Sequence, residues 1–324
     1  MRYSASEKLE IIRTVEDSFL GIKRTLKHIG ISRSTFYAWY DRYLTDGLDG
    51  LEDIKPVPSK VWNKVPDEYR DKLVEMALDK PELSPRELAV LFTEHYSYFI
   101  SEATAYRILK QNNLITSPAW IVMKASDKFK NPTTAINQLW QTDFTYLKIT
   151  GWGWYYLSTV MDDYSRYIVA WRLCLSMTAK DVSDTLEMAL KNAGLSKRQR
   201  PKLLSDNGPC YISSELKSFI EENGMSHTRG KPYHPMTQGK IERWHRTMKD
   251  QILLENYYFP DELKQKIEDF INNYNTRRYH ESLNNLTPED VWLGRGNSIL
   301  EQRLKIKQKT MKLRKQLHQQ NRAA

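Results

Sequence analysis

Residues 140–149 read Trp-Gln-Thr-Asp-Phe-Thr-Tyr-Leu-Lys-Ile, and this stretch decides the fold class of the chain. It is rich in β-branched and aromatic residues, which favour a β-strand. Two more strands are predicted, from Trp154 to Met161 and from Tyr167 to Leu175, and the glycines Gly151 and Gly153 mark the turn before the first of them. Helices and strands then alternate, which predicts an α/β domain with a mixed sheet.

Three acidic residues of this domain fall at positions where chemistry is expected. Asp143 is inside the first strand, Asp206 follows the short apolar strand at 203–205, and Glu242 lies near the start of a long helix. Open α/β sheets bind ligands at the carboxyl ends of their strands. Three carboxylates brought together would offer the hard oxygen ligands that suit Mg²⁺, or Mn²⁺ as a substitute. Taken singly, each acid is better explained without catalysis: Asp143 as an edge-strand charge, Asp206 as a turn residue and Glu242 as a solvated helix charge.

The helix that carries Glu242 is amphipathic. Its apolar positions follow a spacing of three and four residues and are expected to face the core: Ile241, Trp244, Met248 and Ile252. Glu242 then lies on a different face. Three basic or polar residues near the helix start are candidates to contact DNA beside the acids, with surface solvation or a structural role as the alternative: His234, Lys240 and Arg243. Asp162 and Asp163 are competing carboxylates, expected instead to shape the turn that follows the second strand.

The first part of the chain is predicted to be helical. Ser6 is the expected cap of the first helix, and Ser32 is the expected cap of a helix from Arg33 to Leu44, which follows a turn at Gly30. Helix, glycine-containing turn and helix form the helix-turn-helix pattern, whose last helix enters the major groove of DNA. A plain three-helix bundle is the alternative. The candidate DNA contacts of this unit are Arg33, Ser34, Thr35, Tyr37 and Arg42, of which Arg42 is assigned to phosphate.

A second helical unit follows a proline-containing linker. Ser84-Pro85-Arg86-Glu87 has the sequence of a capping box with proline in the first turn, and Ser101 can cap a helix from Glu102 to Asn112. This pattern predicts a second helix-turn-helix, with or without a wing. Its candidate DNA contacts are Thr104, Arg107 and Lys110.

Charge and composition restrict the class of partner. The formal net charge is +9, which favours a polyanionic partner such as nucleic acid. Two cysteines are too few for a disulfide framework or a structural zinc site. No apolar signal core and no run long enough to span a bilayer is visible, so a soluble protein of the cytosol with no membrane partner is expected. No phosphate-binding glycine-rich loop is present, so no nucleotide cofactor is expected.

Three motifs resemble the integrase core of bacterial insertion-sequence transposases, which is related to the retroviral integrases. They are Trp-x-x-Asp-x-Thr at 140–145, Ser-Asp-Asn-Gly at 205–208 and Tyr-His-Pro-x-x-x-Gly-Lys-x-Glu-Arg at 233–243. Residues 274–289 resemble the post-catalytic motif of the same transposases and supply Arg277 and Arg278 as further candidate DNA contacts. The resemblance covers roughly residues 1–295. It implies a ribonuclease-H-like fold and an Asp-Asp-Glu catalytic triad at Asp143, Asp206 and Glu242.

The function implied is that of a DNA transposase. Such an enzyme recognises the terminal inverted repeats of a mobile element, hydrolyses DNA at the element ends and joins the free 3′-hydroxyl to target DNA. Two Mg²⁺ ions would clamp the attacking and leaving oxygens, with Asp143 bridging both ions and Asp206 and Glu242 each binding one. Double-stranded DNA of the element and of the target is the expected partner. Joining two ends implies a homo-oligomer, at least a dimer.

Two rival functions stay open from the sequence. One is a DNA-binding regulator with an inactive integrase core, and the other is a ribonuclease-H-like nuclease without strand transfer. The basic C-terminal segment is predicted to be either helical or disordered and to add salt-sensitive affinity for DNA. The expected boundaries are a helix-turn-helix domain at 1–53, a linker at 54–66, a second helix-turn-helix domain at 67–116, a connector at 117–137, the catalytic core at 138–260, a helical extension at 261–295 and a basic tail at 296–324.

Overall fold

The computed structural model of the chain describes residues 3–52, 61–115, 133–196, 199–230 and 239–323. The chain divides into two compact units, Met1–Lys64 and Val65–Ala324. His234, most of the expected linker and most of the expected connector lie outside the described residues.

The first unit consists of three helices and a short 3-10 turn around one small core. The helices are α1 (Ala5–Glu16), α2 (Ile22–Ile29) and α3 (Arg33–Asp46). Gly30 ends α2 with φ 79°, a left-handed conformation that glycine adopts without strain. Ser32 caps α3 by accepting a hydrogen bond from the backbone of Thr35, as predicted. Ser4, not Ser6, caps α1, because Glu7 returns a hydrogen bond to Ser4 and completes a capping box.

The second unit begins with another bundle of three helices. They are α4 (Asp67–Asp79), α5 (Pro85–Tyr96) and α6 (Glu102–Gln111). Ser84 forms the predicted capping box with Glu87 at the start of α5, and Ser101 caps α6 by accepting from the backbone of Thr104. The largest fully buried side chains of this bundle are Phe92, Leu73 and Ile100.

A five-stranded mixed sheet forms the centre of the second unit. Its strands are β1 (Leu139–Ile149), β2 (Gly153–Asp162), β3 (Ile168–Cys174), β4 (Lys202–Ser205) and β5 (Ser226–Arg229). Their order is β3-β2-β1-β4-β5. The first three strands pair antiparallel, whereas β4 pairs parallel with both β1 and β5. This arrangement confirms the predicted α/β domain with a mixed sheet.

Helices cover both faces of the sheet. They are α7 (Ala179–Asn192), α8 (Pro209–Ile212), α9 (Ser214–Glu222), α10 (Gly239–Ile252) and α11 (Pro260–Thr276). One core cluster joins Trp140 to side chains of α7, α8 and α9. The other joins Leu147 and Leu157 to side chains of α10 and α11, including Ile241 and Trp244. The apolar face predicted for α10 is therefore confirmed.

Two helices follow the sheet domain and complete the second unit. They are α12 (Pro288–Trp292) and α13 (Gly296–Ala323). The basic segment is helical, and α13 is 28 residues long, or about 42 Å. It packs on the helix bundle: the guanidinium of Arg314 donates to the hydroxyl of Tyr98 at 2.8 Å and to the carbonyl of Phe99 at 2.7 Å.

Glu94 of α5 is the centre of a second set of contacts between this bundle and the C-terminal part. Arg303 Nε of α13 donates to Glu94 at 2.8 Å, and the Tyr279 hydroxyl donates to Glu94 at 2.6 Å. Arg86, also on α5, donates to the side chain of Asn285. These charged contacts attach the second helix bundle to the segment that follows α11.

Candidate active site

Asp143 lies on β1 just past the point where β4 stops pairing with that strand. The paired residues of β1 are Leu139 to Gln141, and Gln141 stands opposite Leu204 of β4. Asp143 is half-buried, and its Oδ2 lies 3.4 Å from Nδ1 of His245 on α10. Its Oδ1 accepts a hydrogen bond from the backbone of Phe144 at 2.8 Å.

Asp206 lies directly after β4, at the carboxyl end predicted for it. The register explains its position: Asp143 is two residues past Gln141, and Asp206 is two residues past Leu204, the partner of Gln141. Because β1 and β4 run parallel and adjacent strands are about 4.8 Å apart, the two acids leave the sheet side by side. The Asp206 carboxylate accepts from the backbone of Gly208 at 2.9 Å, which closes a tight turn.

The negative charge of Asp143 acts on the Asp206 carboxylate. The pKa of Asp206 is raised, mainly by partial burial and also by the negative charge of Asp143. The negative charges of both aspartates also act on the Cys210 thiol. Its pKa is raised to about 11, first by burial and then by the charge of Asp206. Two acids that repel each other across a strand end are a donor set that a divalent cation would stabilise. These two carboxylates are therefore of the ligand type that a hard metal ion prefers.

Glu242 lies in the first turn of α10 and is exposed. The start of this helix is fixed to β1, because the backbone N–H of Ile241 donates to the side chain of Gln141 at 3.2 Å. His245, three residues after Glu242, shares its side of the helix and reaches Asp143. In the described part of the chain, no three His, Cys, Asp or Glu side chains are grouped closely enough to hold a metal ion.

Lys240 does not have the exposed position expected of a DNA contact. It is buried, and its Nζ lies 2.6 Å from Oδ2 of Asp163 and donates to the carbonyl of Asp163 at 3.1 Å. Gln141 and Thr133 also donate to the Asp163 carboxylate, each at 2.6 Å. The prediction that Lys240 holds DNA phosphate is therefore wrong: its ammonium group is used inside the protein, where it fixes the start of α10 to the end of β2.

Asp162 and Asp163 have the structural role that was expected of them. Asp162 accepts hydrogen bonds from the backbone and hydroxyl of Ser165 at 2.8 and 2.7 Å, and from the backbone of Asn137 at 2.8 Å. Burial raises the pKa of Asp163, but the charge and hydrogen bond of Lys240, with the Thr133 hydrogen bond and the Arg166 charge, lower it by more, so this pKa lies below its usual value. Both acids are saturated by partners within the fold.

The other predicted DNA contacts differ in exposure. On α3 the side chains of Arg33, Ser34, Thr35 and Tyr37 are exposed, whereas Arg42 is half-buried and donates to the Ala38 carbonyl at 3.2 Å. On α6, Arg107 and Lys110 are exposed and Thr104 is half-buried. In the second unit Arg243 and Arg277 are exposed and Arg278 is half-buried. Their contacts with DNA stay predictions.

His245 is the residue of this site that was not singled out from the sequence. The available signal was its spacing of three residues from Glu242, which places both on one side of a helix. Its ring is buried against Trp244, with centroids 5.0 Å apart, and its Nδ1 faces Asp143. A histidine beside a carboxylate can fix the orientation of that carboxylate.

Comparison with known families assigns the same regions. Residues 133–235 match an Integrase core domain model and residues 223–288 match a second Integrase core domain model. Residues 7–58 match a Helix-turn-helix domain model, and residues 35–109 match a Homeodomain-like domain model. No described helix has the length and apolar character needed to cross a membrane.

The chain is also similar to individual proteins. It is 24% identical over 274 residues to the transposase InsK of insertion sequence element IS150 of Escherichia coli K12, covering 83% of this chain and 93% of that protein. It is 29% identical over 161 residues to the transposase of insertion sequence element IS904 of Lactococcus lactis, covering 48% of this chain and 62% of that protein.

Among solved structures, the HTLV-2 integrase catalytic core domain in complex with magnesium aligns with a TM-score of 0.40 and 20% identity, over 48% of this chain and 97% of that one. Helix-turn-helix and homeodomain-like models thus match the first part of the chain and integrase core models match the later part, and the chain is similar to insertion-sequence transposases.

Proposed function

We propose that the chain is a DNA transposase whose catalytic acids are Asp143, Asp206 and Glu242. The observation that carries the proposal is the parallel register of β1 and β4, from which Asp143, inside β1, and Asp206, just after β4, follow side by side, with the charge of Asp143 contributing to the raised pKa of Asp206. Glu242 would complete the set from α10, the helix whose His245 lies beside Asp143. The similarity to two insertion-sequence transposases supports this assignment.

The expected cofactor is a pair of Mg²⁺ ions, with Mn²⁺ as a substitute. When bound, such ions supply an activated water and stabilise the attacking and leaving oxygens of a phosphodiester. Asp143 would bridge the pair, and Asp206 and Glu242 would each hold one member. His245 orients the Asp143 carboxylate, and the contact between Ile241 and Gln141 fixes the distance of α10 from β1.

Other parts of the chain would position the DNA relative to the catalytic acids. The helix-turn-helix units would bind the terminal inverted repeats of the element through α3 and α6, and thereby present the element end to the acids. Hydrolysis would free a 3′-hydroxyl, and that hydroxyl would attack a phosphodiester of the target DNA. One phosphodiester replaces another in the second step, so no nucleotide cofactor is required. Two element ends must be held together, which calls for a homo-oligomer of at least two copies.

The test uses the full-length chain and DNA taken from the ends of the element that encodes it. We expect Asp143→Asn and Glu242→Gln to lose Mg²⁺-dependent nicking by more than about 100-fold and to keep binding of the same DNA. Glu187→Gln, which changes an exposed acid on α7, is the matched control and should nick normally.

The outcomes separate the three functions. A wild-type chain that binds the element ends and never nicks them would be a regulator with an inactive core. Pre-cut ends with a free 3′-hydroxyl test the joining step separately. A chain that nicks but yields no joined product from pre-cut ends would be a nuclease without strand transfer.

A further inference from the structure

Two aromatic side chains stand exposed on the sheet near the candidate site. Tyr146 is 58% exposed and Trp154 is 52% exposed. Trp154 pairs with Lys148 in the register of β1 and β2, so Tyr146 and Trp154 are diagonal neighbours on one face of the sheet. Their rings meet edge to face, with centroids 5.4 Å apart and an interplanar angle of 80°.

The helices that cover this face stop before they reach the aromatic pair. Trp140, on the same face of β1, is fully buried under α7 to α9, whereas Tyr146 and Lys148 are exposed. The burial along β1 thus changes within six residues. Exposed rings of this size, grouped in one place, mark a surface that binds a partner more often than an inert one.

Positive charges accompany both rings. The Nζ of Lys249, from α10, lies 4.1 Å from the centroid of Tyr146, and the Nζ of Lys148 lies 6.0 Å from that of Trp154. Aromatic faces combined with lysines are the surface that single-stranded nucleic acid favours, because the rings stack on bases and the ammonium groups neutralise phosphates. The positive charges therefore favour a polyanionic partner over an uncharged apolar one.

The aromatic pair lies on the same strand as Asp143 but on the other face of the sheet. Tyr146 follows Asp143 by three residues, about 10 Å along the strand or about three base steps of DNA, and side chains three residues apart on a strand point to opposite faces. Beyond Gln141 no described strand pairs with that edge of β1, and Lys249 crosses it. Partial burial lowers the pKa of Lys249, and the negative charge of Asp143 opposes this lowering.

We propose that Tyr146 and Trp154, with Lys148, form a stacking platform that binds unpaired bases of a DNA strand next to the candidate active site. The proposal rests on the proposed function for the identity of the strand, which would be the one entering or leaving the acids. It goes further in assigning base stacking to two residues of the core domain itself. A second copy of the chain would be the competing occupant of this surface.

The test measures binding only, without divalent metal, so that failure of catalysis cannot affect it. Three probes share one duplex sequence: a blunt end, an unpaired extension of about five nucleotides, and an extension of the same length without bases. We expect the wild-type chain to bind the extended duplex about tenfold more tightly than the blunt one, and the baseless extension to recover little of this gain.

The variant Tyr146→Leu/Trp154→Leu keeps apolar bulk and removes the ring faces. It should bind all three probes with the affinity that the wild-type chain has for the blunt one. Tyr258→Leu removes a ring that is 57% exposed elsewhere in the second unit, and it should keep the preference. A circular dichroism spectrum and a urea midpoint like those of the wild type establish that each variant is folded.

Three results would overturn the platform. The preference for the extension could persist in the double variant, the baseless extension could bind as tightly as the normal one, or the double variant could change its oligomeric state in sedimentation. The last result would assign the surface to a second copy. The platform and the catalytic role can also fail separately. If the wild-type chain does not nick DNA but still prefers the extended duplex, the platform stands without the proposed catalytic role. If Asp143→Asn abolishes nicking but the wild-type chain shows no preference for the extension, the catalytic role stands without the platform.

Discussion

The buried ion pair of Lys240 and Asp163 gives a prediction that separates a structural lysine from a DNA-binding one. Lys240 is 8% exposed, and its ammonium lies 2.6 Å from the Asp163 carboxylate. Lys240→Met keeps the aliphatic stem but removes the ammonium group from this carboxylate, leaving Arg166 as the remaining positive charge that acts on it. Breaking one side of a buried pair costs about 3–5 kcal/mol. Because Gln141 and Thr133 still donate to Asp163, we expect about 3 kcal/mol of lost unfolding free energy in the second unit.

The size of this loss should depend on pH with a definite sign. In the wild type, burial raises the pKa of Asp163 but Lys240, Thr133 and Arg166 together outweigh burial, so the folded-state pKa lies below the unfolded value. The stabilisation is therefore present above the unfolded pKa and is lost as the pH falls through the folded one. In Lys240→Met burial acts without the ammonium, the pKa rises, and the neutral acid becomes easier to bury. The difference between wild type and variant should therefore narrow as the pH approaches about 4.

Urea unfolding of the full chain, followed by circular dichroism and tryptophan fluorescence, measures this loss near neutral pH and in mild acid. Lys217→Met is the matched control, because Lys217 is an exposed lysine 3.9 Å from Glu221 and should contribute less than about 0.5 kcal/mol. Binding of element-end DNA is measured well below the unfolding temperature. A Lys240→Met chain with wild-type stability and weakened DNA binding would refute the structural role and restore the phosphate contact.

Further predictions concern groups away from the acids. Burial is the main cause that raises the pKa of the Cys174 thiol to about 12 and the pKa of the Cys210 thiol to about 11. In slightly alkaline buffer both thiols should therefore react with a disulfide reagent far more slowly in the native chain than in urea. Rapid labelling of both thiols in the native chain would contradict this. Burial and then the charge of Arg278 lower the pKa of His280 to about 3, so the unfolded chain takes up a proton that the folded chain refuses between about pH 6.5 and pH 3, and stability falls with acidification. His280→Gln should show a shallower fall over that range, and parallel urea midpoints in the two proteins would exclude the effect. Glu94→Gln should lower the free energy of unfolding by about 1–2 kcal/mol, because it weakens the acceptor of Arg303 and Tyr279. Proteolytic cleavage around α5 should become faster, and an unchanged cleavage rate would count against these contacts.

Features that depend on neighbouring residues could be predicted from the sequence. The caps at Ser32, Ser84 and Ser101 are settled within one helical turn, as is the capping box of Ser84 with Glu87. Asp206 was placed correctly because an apolar strand followed by Ser-Asp-Asn-Gly must end in a turn. The cap of the first helix was misplaced at Ser6, since the acid three residues away favours Ser4.

Features that depend on distant pairing could not be predicted in this way. Lys240 meets Asp163, which lies 77 residues earlier, and only the packing of α10 on β2 brings them together. A lysine at the start of a helix otherwise looks solvated. The proximity of Asp143 to Asp206 depends on the parallel register of two strands, which separate segments of sequence do not specify. The contact of His245 with Asp143 is likewise a product of tertiary packing.

The contacts at Glu94 have a consequence for protein engineering. Helix-turn-helix domains are attractive parts for chimaeras, since exchanging them could redirect an enzyme to new DNA. The bundle of α4 to α6 is a poor candidate for such exchange, because its outer surface carries the acid that accepts from Arg303 and Tyr279. A transplanted domain that lacks a carboxylate at that position would leave a guanidinium and a phenol without their acceptor. Retargeting by substitution along the exposed side of α6 would avoid that incompatibility.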